Sequence, residues 1–395
     1  MDPKILYFVH DLDDPAVARR IAMLRTGGAE VELAGFHRFP KPPPSVGGVA
    51  ALSLGRTQPA KLLSRALSVA KAALDLKPVA EAAGRAGVIV ARNLEMLALA
   101  VRARNRYAPG TPIAYECLDI HRLLLSRGPA GYGLRFVEDW LLRQTDLLLT
   151  SSPAFIRNYF EPRGFAGAVR LVENKVLALE GEPAPLPPER PAPSLPWRIG
   201  WFGVLRCRKS FEILSRLARD LPGTVEIVMR GRPAPSIFPD FEAEARARPG
   251  ITFEGAYRNP EDLSAIYGGV HFTWAIDYYE EGQNSAWLLP NRIYEGSLWG
   301  AVPLALAGVE TGRWLSARHA GVRLPDPPDE ALRTFFSGLD AAGYSHLAGA
   351  VARIPRAGLV DDAAACRRLV QSLPLRGNER LKGVKQLQTK LSGSA

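Results

Sequence analysis

Between Asp277 and Gly296 the chain reads Asp-Tyr-Tyr-Glu-Glu-Gly-Gln-Asn-Ser-Ala-Trp-Leu-Leu-Pro-Asn-Arg-Ile-Tyr-Glu-Gly, a run of carboxylates, amides and hydroxyls with one guanidinium. A carboxylate can hold ribose hydroxyls, and a guanidinium with backbone N–H groups can hold phosphate, so the mixture suits a sugar nucleotide. Pro290 fits the first turn of a helix, which puts Asn291, Arg292 and Glu295 on its opening turns. Asn291 and Glu295, four residues apart, share a face of that helix. A second stretch, Gly203-Val204-Leu205-Arg206-Cys207-Arg208-Lys209-Ser210, crowds three cations before a helix predicted over Phe211–Asp220. Gly203 permits a tight turn there. Cations at a helix N-terminus oppose its macrodipole, whereas a bound anion would satisfy both dipole and cations. The alternative is a solvated basic loop.

These residues need elements to position them. Short apolar runs alternate with helical periodicity in both halves, the pattern of parallel sheets covered by helices on two faces. Strands are predicted over Ile5–His10, Ala29–Gly35, Val88–Arg92, Ile113–Cys117, Asp146–Thr150 and Val169–Val172, then over Arg198–Phe202, Val225–Met229, Ile251–Glu254, His271–Ala275, Val302–Leu306 and Val322–Leu324. The fold class is therefore α/β, two Rossmann-like domains in tandem with an interdomain cleft. A segment of seven prolines over residues 180–197 cannot form a helix or central strand and reads as a linker. It divides an N-terminal domain (1–179) from a C-terminal one (198–375), followed by a basic helix or tail (376–395). In open α/β sheets ligands bind beyond the carboxyl ends of the strands, where both polar stretches fall.

Composition narrows the chemistry. The 395 residues contain 47% hydrophobic and 23% charged residues, ordinary for a globular chain. The sequence following the first strand, His10-Asp11-Leu12-Asp13-Asp14-Pro15, has no glycine, which argues against an NAD or FAD oxidoreductase, and no P-loop occurs. Asp14-Pro15 reads instead as a helix cap and first turn. Three separated cysteines (Cys117, Cys207, Cys366) share no ligand spacing, so neither a disulfide framework nor a zinc site is expected. The adjacent acids Asp13-Asp14 and Asp361-Asp362 lack the strand-end context of a magnesium site, and no metal is expected. No apolar run approaches the ~20 residues needed to span a bilayer, and the N-terminus turns polar too quickly for a signal peptide. A cytoplasmic location is expected.

The pattern Asn284-Ser285-x-Trp287-Leu288-Leu289-Pro290-Asn291-Arg292-Ile293-Tyr294-Glu295-Gly296, followed by Gly300-Ala301-Val302-Pro303, resembles the donor segment of retaining-type GT-B glycosyltransferases of the family 4 type. Further segments are similar to a bacterial exopolysaccharide branch, of the succinoglycan-biosynthesis type. They include Ala91-Arg92-Asn93-Leu94-Glu95, Tyr115-Glu116-Cys117-Leu118-Asp119-Ile120-His121-Arg122, Leu171-Val172-Glu173-Asn174-Lys175 and Phe253-Glu254-Gly255-Ala256-Tyr257. The likeness covers roughly residues 88–306. It implies transfer of a hexose, with UDP-glucose as the expected donor, to a lipid-linked oligosaccharide in exopolysaccharide assembly, with no cofactor beyond the nucleotide sugar. By the same resemblance Glu295 holds the ribose, Arg206 and Lys209 neutralise the diphosphate, and Asn291 and Arg292 support the phosphate or the helix turn. Glu281, Gly282, Asn284 and Ser285 face the transferred sugar, and Tyr257 lies near the base. The family's Glu-x7-Glu pair is replaced here by Glu281 and Glu295, fourteen residues apart, and its glycine-rich loop after the first strand is missing.

In the first half Glu116, Asp119 and His121 close a predicted strand, and residues 119 and 121 share a face if that strand persists. An attacking hydroxyl needs a base, and the resemblance supports Asp119 or His121; a capping aspartate and a surface histidine are the alternative. Two departures from the family pattern keep a second reading open, a catalytically silent sugar-nucleotide-binding partner of an assembly complex; a GT-B epimerase acting without any acceptor is a third. Residues 1–175 carry 24 basic and 16 acidic residues against 26 and 24 in the remainder, out of 50 and 40 in the chain. That excess suits an anionic membrane surface, with Lys61, Arg65, Ser68 and Lys71 on one side of a helix predicted over Ala60–Leu76; a docked helix with a solvated basic face explains the same window. Nucleic acid is not expected, since no zinc finger, aromatic-interleaved basic sheet or long basic run occurs.

Overall fold

The computed structural model describes residues 2–57, 62–179 and 191–377, with backbone alone over 62–67. The chain divides into two compact units, Met1–Glu173 together with the stretch from Asp362, and Asn174–Asp361. In the first unit the strands are β1 (Lys4–Val9), β2 (Glu30–His37), β3 (Ser45–Val46), β4 (Val49–Arg56), β5 (Val88–Arg92), β6 (Ile113–Cys117), β7 (Leu147–Thr150) and β8 (Ala168–Leu171). They form one sheet in the order β3-β4-β2-β1-β5-β6-β7-β8, parallel throughout except for the β3–β4 hairpin. β5, β6 and β7 are buried along their whole length, which is why they read as apolar runs, interrupted only at Arg92 and Glu116. The hairpin was not foreseen. It turns through Gly47 and Gly48, both at positive φ, between the paired Val46 and Val49.

Asp14 caps the helix Pro15–Thr26 through a bond from the Ala16 N–H (2.9 Å), as its sequence indicated. That helix and three strands meet at one buried carboxylate. Glu116, on β6, accepts from Tyr7 Oη on β1 (2.5 Å) and from Arg20 Nε on the helix (2.5 Å), and Arg92 on β5 stands 3.4 Å away. Burial opposes its ionisation, but the Arg20 and Arg92 charges outweigh burial and hold the carboxyl below its usual range. Glu116 is thus part of the framework, not of an open strand edge.

The second unit contains β9 (Val176–Leu177), β10 (Trp197–Leu205), β11 (Val225–Pro233), β12 (Ile251–Phe253), β13 (Phe272–Trp274), β14 (Val302–Leu306), β15 (Val322–Leu324) and β16 (Val360–Asp361). Six of them form a parallel sheet in the order β12-β11-β10-β13-β14-β15, and β9 pairs with β16. The division differs from a boundary at 180–197. Residues 174–179 belong with the second unit, and the helix Ala363–Gln371 belongs with the first. There a Cβ added at Gly27 would come 2.5 Å from Cys366 O, so the glycine permits the close approach of this helix. Residues 180–190 of the proline-rich segment, 378–395 of the basic C-terminal stretch, and the side chains of Lys61 and Arg65 lie outside the described residues. Among the described residues no helix is long and apolar enough to cross a membrane.

His271, directly before β13, ties the start of that strand to the chain entering β10. Its Nδ1 accepts from the Arg198 N–H (3.0 Å) and its Nε2–H donates to Ala192 O (2.9 Å). Burial lowers its pKa below 6.5, with the Arg198 charge acting the same way and the Ala192 bond opposing. A folded-state pKa below the unfolded one stabilises the fold above about pH 6.5, and that contribution is lost as pH falls. In urea unfolding, the midpoint gap between wild type and His271→Gln should therefore narrow from pH 7.5 to pH 5.

Candidate active site

β10 lies at the centre of its sheet. The chain runs outward to β11 and β12 on one side and then returns to β13, β14 and β15 on the other. The carboxyl ends of β10 and β13 therefore diverge, and such a switch point leaves a crevice for a ligand. A cavity of about 440 Å³ occurs there, within the range that holds small ligands. Gly203, Val204 and Arg206 supply one wall from the end of β10, and Ala275, Ile276 and Asp277 supply another from the end of β13.

Backbone geometry opens the first wall. Gly203 has φ +118° and pairs with Gly231 at φ +137°, and a Cβ on Gly231 would fall 1.8 Å from Gly203 O. Both positions require glycine. Tyr257 follows β12 and reaches this wall, its Oη 4.0 Å from where a Gly203 Cβ would stand. Burial, and then the Glu295 charge, push its phenol up to about 12, so it is a neutral O–H donor at physiological pH.

The helix Asn291–Leu298 supplies the third side, beginning after Pro290. Asn291, Arg292 and Glu295 all line the cavity. Glu295 is only 6% exposed and its Oε2 accepts from Tyr267 Oη (2.7 Å). Gly296, next in line, lets the helix press on β13, since a Cβ would come 2.4 Å from Thr273 Cγ2. Arg292 Nη2 lies 4.0 Å from Asp277 Oδ2, and the Arg206 guanidinium carbon sits 4.3 Å from the Tyr279 ring centroid.

The structure thus brings Gly203, Arg206, Tyr257, Ser285, Asn291, Arg292 and Glu295 to one cavity. Other candidates fall elsewhere. Lys209 Nζ donates to Glu281 Oε1 (2.6 Å) and lies 4.0 Å from the Tyr278 ring centroid, so these two oppositely charged residues meet each other beside the cavity, not on its wall. Gly282 turns their loop at φ +79°. Asn284 is wholly buried and precedes the single helical turn Ser285–Trp287, which puts Ser285 on the cavity wall. Arg208 leaves the cationic group altogether: it pairs with Glu244, donates to Ile237 O (2.8 Å) and stacks 4.1 Å from the Phe238 centroid. In the first unit β6 stops at Cys117, so Asp119 and His121 do not extend a strand. Asp119 is exposed in the following bend, and His121 caps the helix Arg122–Leu125, its Nδ1 accepting from the Leu123 N–H (3.2 Å). Among the described residues no group of three or more His, Cys, Asp and Glu could hold a metal ion.

Sequence reasoning missed Tyr267, Asp277, Asn259, Thr311 and Asn174, which hold or line this site. Nothing in the neighbours of Tyr267 announces that its hydroxyl meets a carboxylate 28 residues away.

The fold is that of the GT-B glycosyltransferases, two Rossmann-like α/β units. HepE of Anabaena, solved in complex with UDP-glucose, aligns over 93% of this chain and 98% of its own at TM-score 0.64 and 14% identity. The apo form of the lipopolysaccharide outer core galactosyltransferase WaaB aligns over 92% and 97% at TM-score 0.62 and 13% identity. In sequence the chain is 48% identical to succinoglycan biosynthesis protein ExoL of Rhizobium meliloti (strain 1021) over 374 residues, 94% of this chain and 93% of that protein. It belongs to the ExoL family. No protein-family model matches it.

The Tyr267–Glu295 contact is open to a direct check. Tyr267→Phe removes a donor from a buried carboxylate, and should cost about 1–3 kcal/mol of stability in denaturant unfolding. Added to Glu295→Gln the same change should cost much less, because the two residues share the interaction.

Proposed function

We propose that this chain transfers a hexose from a nucleoside diphosphate sugar, with UDP-glucose as donor, to a growing lipid-linked oligosaccharide. The observation that carries the reading is the switch-point cavity, where Glu295, Arg292, Arg206, Tyr257 and Gly203 converge. The UDP-glucose complex of HepE and the succinoglycan role in the ExoL name support the donor class and the pathway class respectively.

Each residue has a physical part in this proposal. Glu295, held by Tyr267, accepts from the ribose hydroxyls. Gly203 lets the backbone approach the diphosphate without a side chain in the way. Arg206 and Lys209 neutralise the charge that grows on the leaving diphosphate, Lys209 exchanging Glu281 for phosphate oxygens. Arg292, kept at the wall near Asp277, supports the phosphates with Asn291. Catalysis is then positioning and electrostatic stabilisation, without a metal. Of the two candidate bases, Asp119 is favoured. The His121 Nδ1 already accepts a backbone N–H, which leaves its proton on Nε2 and makes that nitrogen a donor.

Purified protein mixed with a panel of nucleotide sugars should show the largest rise in melting temperature with UDP-glucose, lost in Glu295→Ala. Glu295→Ala and Lys209→Ala should each slow sugar transfer by ~100-fold or more while the fold is retained. Unchanged turnover in both variants contradicts the site assignment, and acceptor-free interconversion of the sugar contradicts transfer. A transfer rate that loses its acidic limb in Asp119→Asn but keeps it in His121→Gln supports Asp119 as the base.

A further inference from the structure

The helix Pro129–Leu142 in the first unit is amphipathic in an unusual sense. Its inner face buries Gly131, Glu138, Leu141 and Leu142. Its outer face shows Tyr132 at 63% exposure, Phe136 at 75%, Val137 at 46% and Trp140 at 52%. At 3.6 residues per turn these four fall within an arc of roughly 140°. Arg143, exposed directly after the helix, falls on the same arc. No acidic residue does. The helix has two acids, and both are engaged by one arginine from elsewhere: Glu138 is wholly buried and Asp139 lies at the flank, and Arg163 pairs with each.

Three aromatic rings on one exposed helix face are more than scattered surface apolarity, and they need an occupant. The surroundings identify its charge. Arg122 and Arg127 precede the helix, Arg143 follows it, all three are exposed, and none forms an ion pair among the described residues. Arg135 is pinned by bonds to Leu124 O and Ser126 O (2.6 Å each) and holds its guanidinium carbon 4.6 Å from the Tyr132 centroid. Tyr and Trp side chains have an apolar body and a polar tip, which suits the boundary between acyl chains and headgroups. An aromatic face with arginines before and after it in the chain, and whose flanking acid Asp139 is already paired with Arg163, is the surface that an anionic bilayer completes.

We infer that the outer face of this helix docks the first unit on an anionic lipid surface, with Tyr132, Phe136, Val137 and Trp140 in the headgroup region and Arg122, Arg127 and Arg143 on lipid phosphates. The docking face follows Asp119 closely in the chain, through the helix Arg122–Leu125. It deepens the reading of a lipid-borne acceptor, on whose chemistry it rests for its purpose, but its test reads binding and not transfer.

The full chain should sediment with phosphatidylcholine vesicles containing about 30% phosphatidylglycerol, and far less with phosphatidylcholine alone. Phe136→Ser with Trp140→Ser should weaken that binding at least tenfold. Arg122→Gln, Arg127→Gln and Arg143→Gln should each weaken it about fivefold on anionic vesicles. The residues are exposed, so thermal unfolding and the nucleotide-induced melting shift should be unchanged in all variants. That control separates a failure of docking from a failure of the sugar-transfer reading. Vesicle binding equal to wild type in both sets, or no binding by the wild type, overturns the proposal. A dimer that Phe136→Ser and Trp140→Ser dissolves, without vesicle binding, assigns the face to a second copy of the chain instead.

Discussion

The second unit depends on a topological constraint: a parallel sheet whose chain runs outward from β10 to β12 and then returns to β13 cannot close the gap between β10 and β13 at their carboxyl ends. The connection leaving each of these two strands departs toward a different side. What fills the gap is decided by side-chain size. Gly203 and Gly231 keep the two adjacent backbones close and leave the β10 end bare, whereas Gly296 draws the helix Asn291–Leu298 down on β13. The cavity lies at the bare end of β10, and Asn291, Arg292 and Glu295 of the helix become its wall.

Buried carboxylates show how the two units use the same group differently. Glu116 and Glu138 are both wholly buried and answered by guanidinium groups, Arg20 and Arg92 for the first and Arg163 for the second. Removing a partner from such a pair leaves a costly buried charge, so these clusters serve to fix β1, β5, β6 and the helix Pro129–Leu142 in place. Glu295 keeps slight exposure, takes a phenol hydroxyl from Tyr267, and borders a cavity. A carboxylate so placed can still accept bonds from a ligand's hydroxyls, which the framework carboxylates cannot.

Much of the architecture was legible because strands buried on both faces leave an unmistakable trace. Val88–Arg92, Ile113–Cys117 and Val302–Leu306 occupy the expected residues, and so does Val322–Leu324, although it is an edge strand with Arg323 exposed. The β3–β4 hairpin escaped notice because its strands are mostly exposed and lie after a proline-rich stretch, although Gly47-Gly48 is a turn signal. The return of the helix Ala363–Gln371 to the first unit left no local mark at all, since it depends on a contact with Gly27 over three hundred residues earlier. At the site, residue types on the helix after Pro290 were readable from spacing. Partners were not: Arg208 and Lys209 are neighbours of equal charge in the sequence, and only the fold reveals that Glu244 takes one and Glu281 the other.

That difference between Arg208 and Lys209 also explains how a cationic turn can coexist with an unfavourable helix dipole. Both open the helix Arg208–Asp220, where positive charge is destabilising, and each is offset by a carboxylate. The Arg208 arrangement is tied further by the Ile237 carbonyl and the Phe238 ring, so it resists exchange. Lys209 also sits 4.0 Å from a ring, that of Tyr278, but it meets the half-exposed Glu281 as a point charge and not as a fork, and exposed pairs of this kind contribute little to stability. A diphosphate carries more charge than the carboxylate it would displace and also satisfies the helix N–H groups. Net charge therefore says little about where an anion binds. What matters is which cations the fold leaves in contacts weak enough to give up.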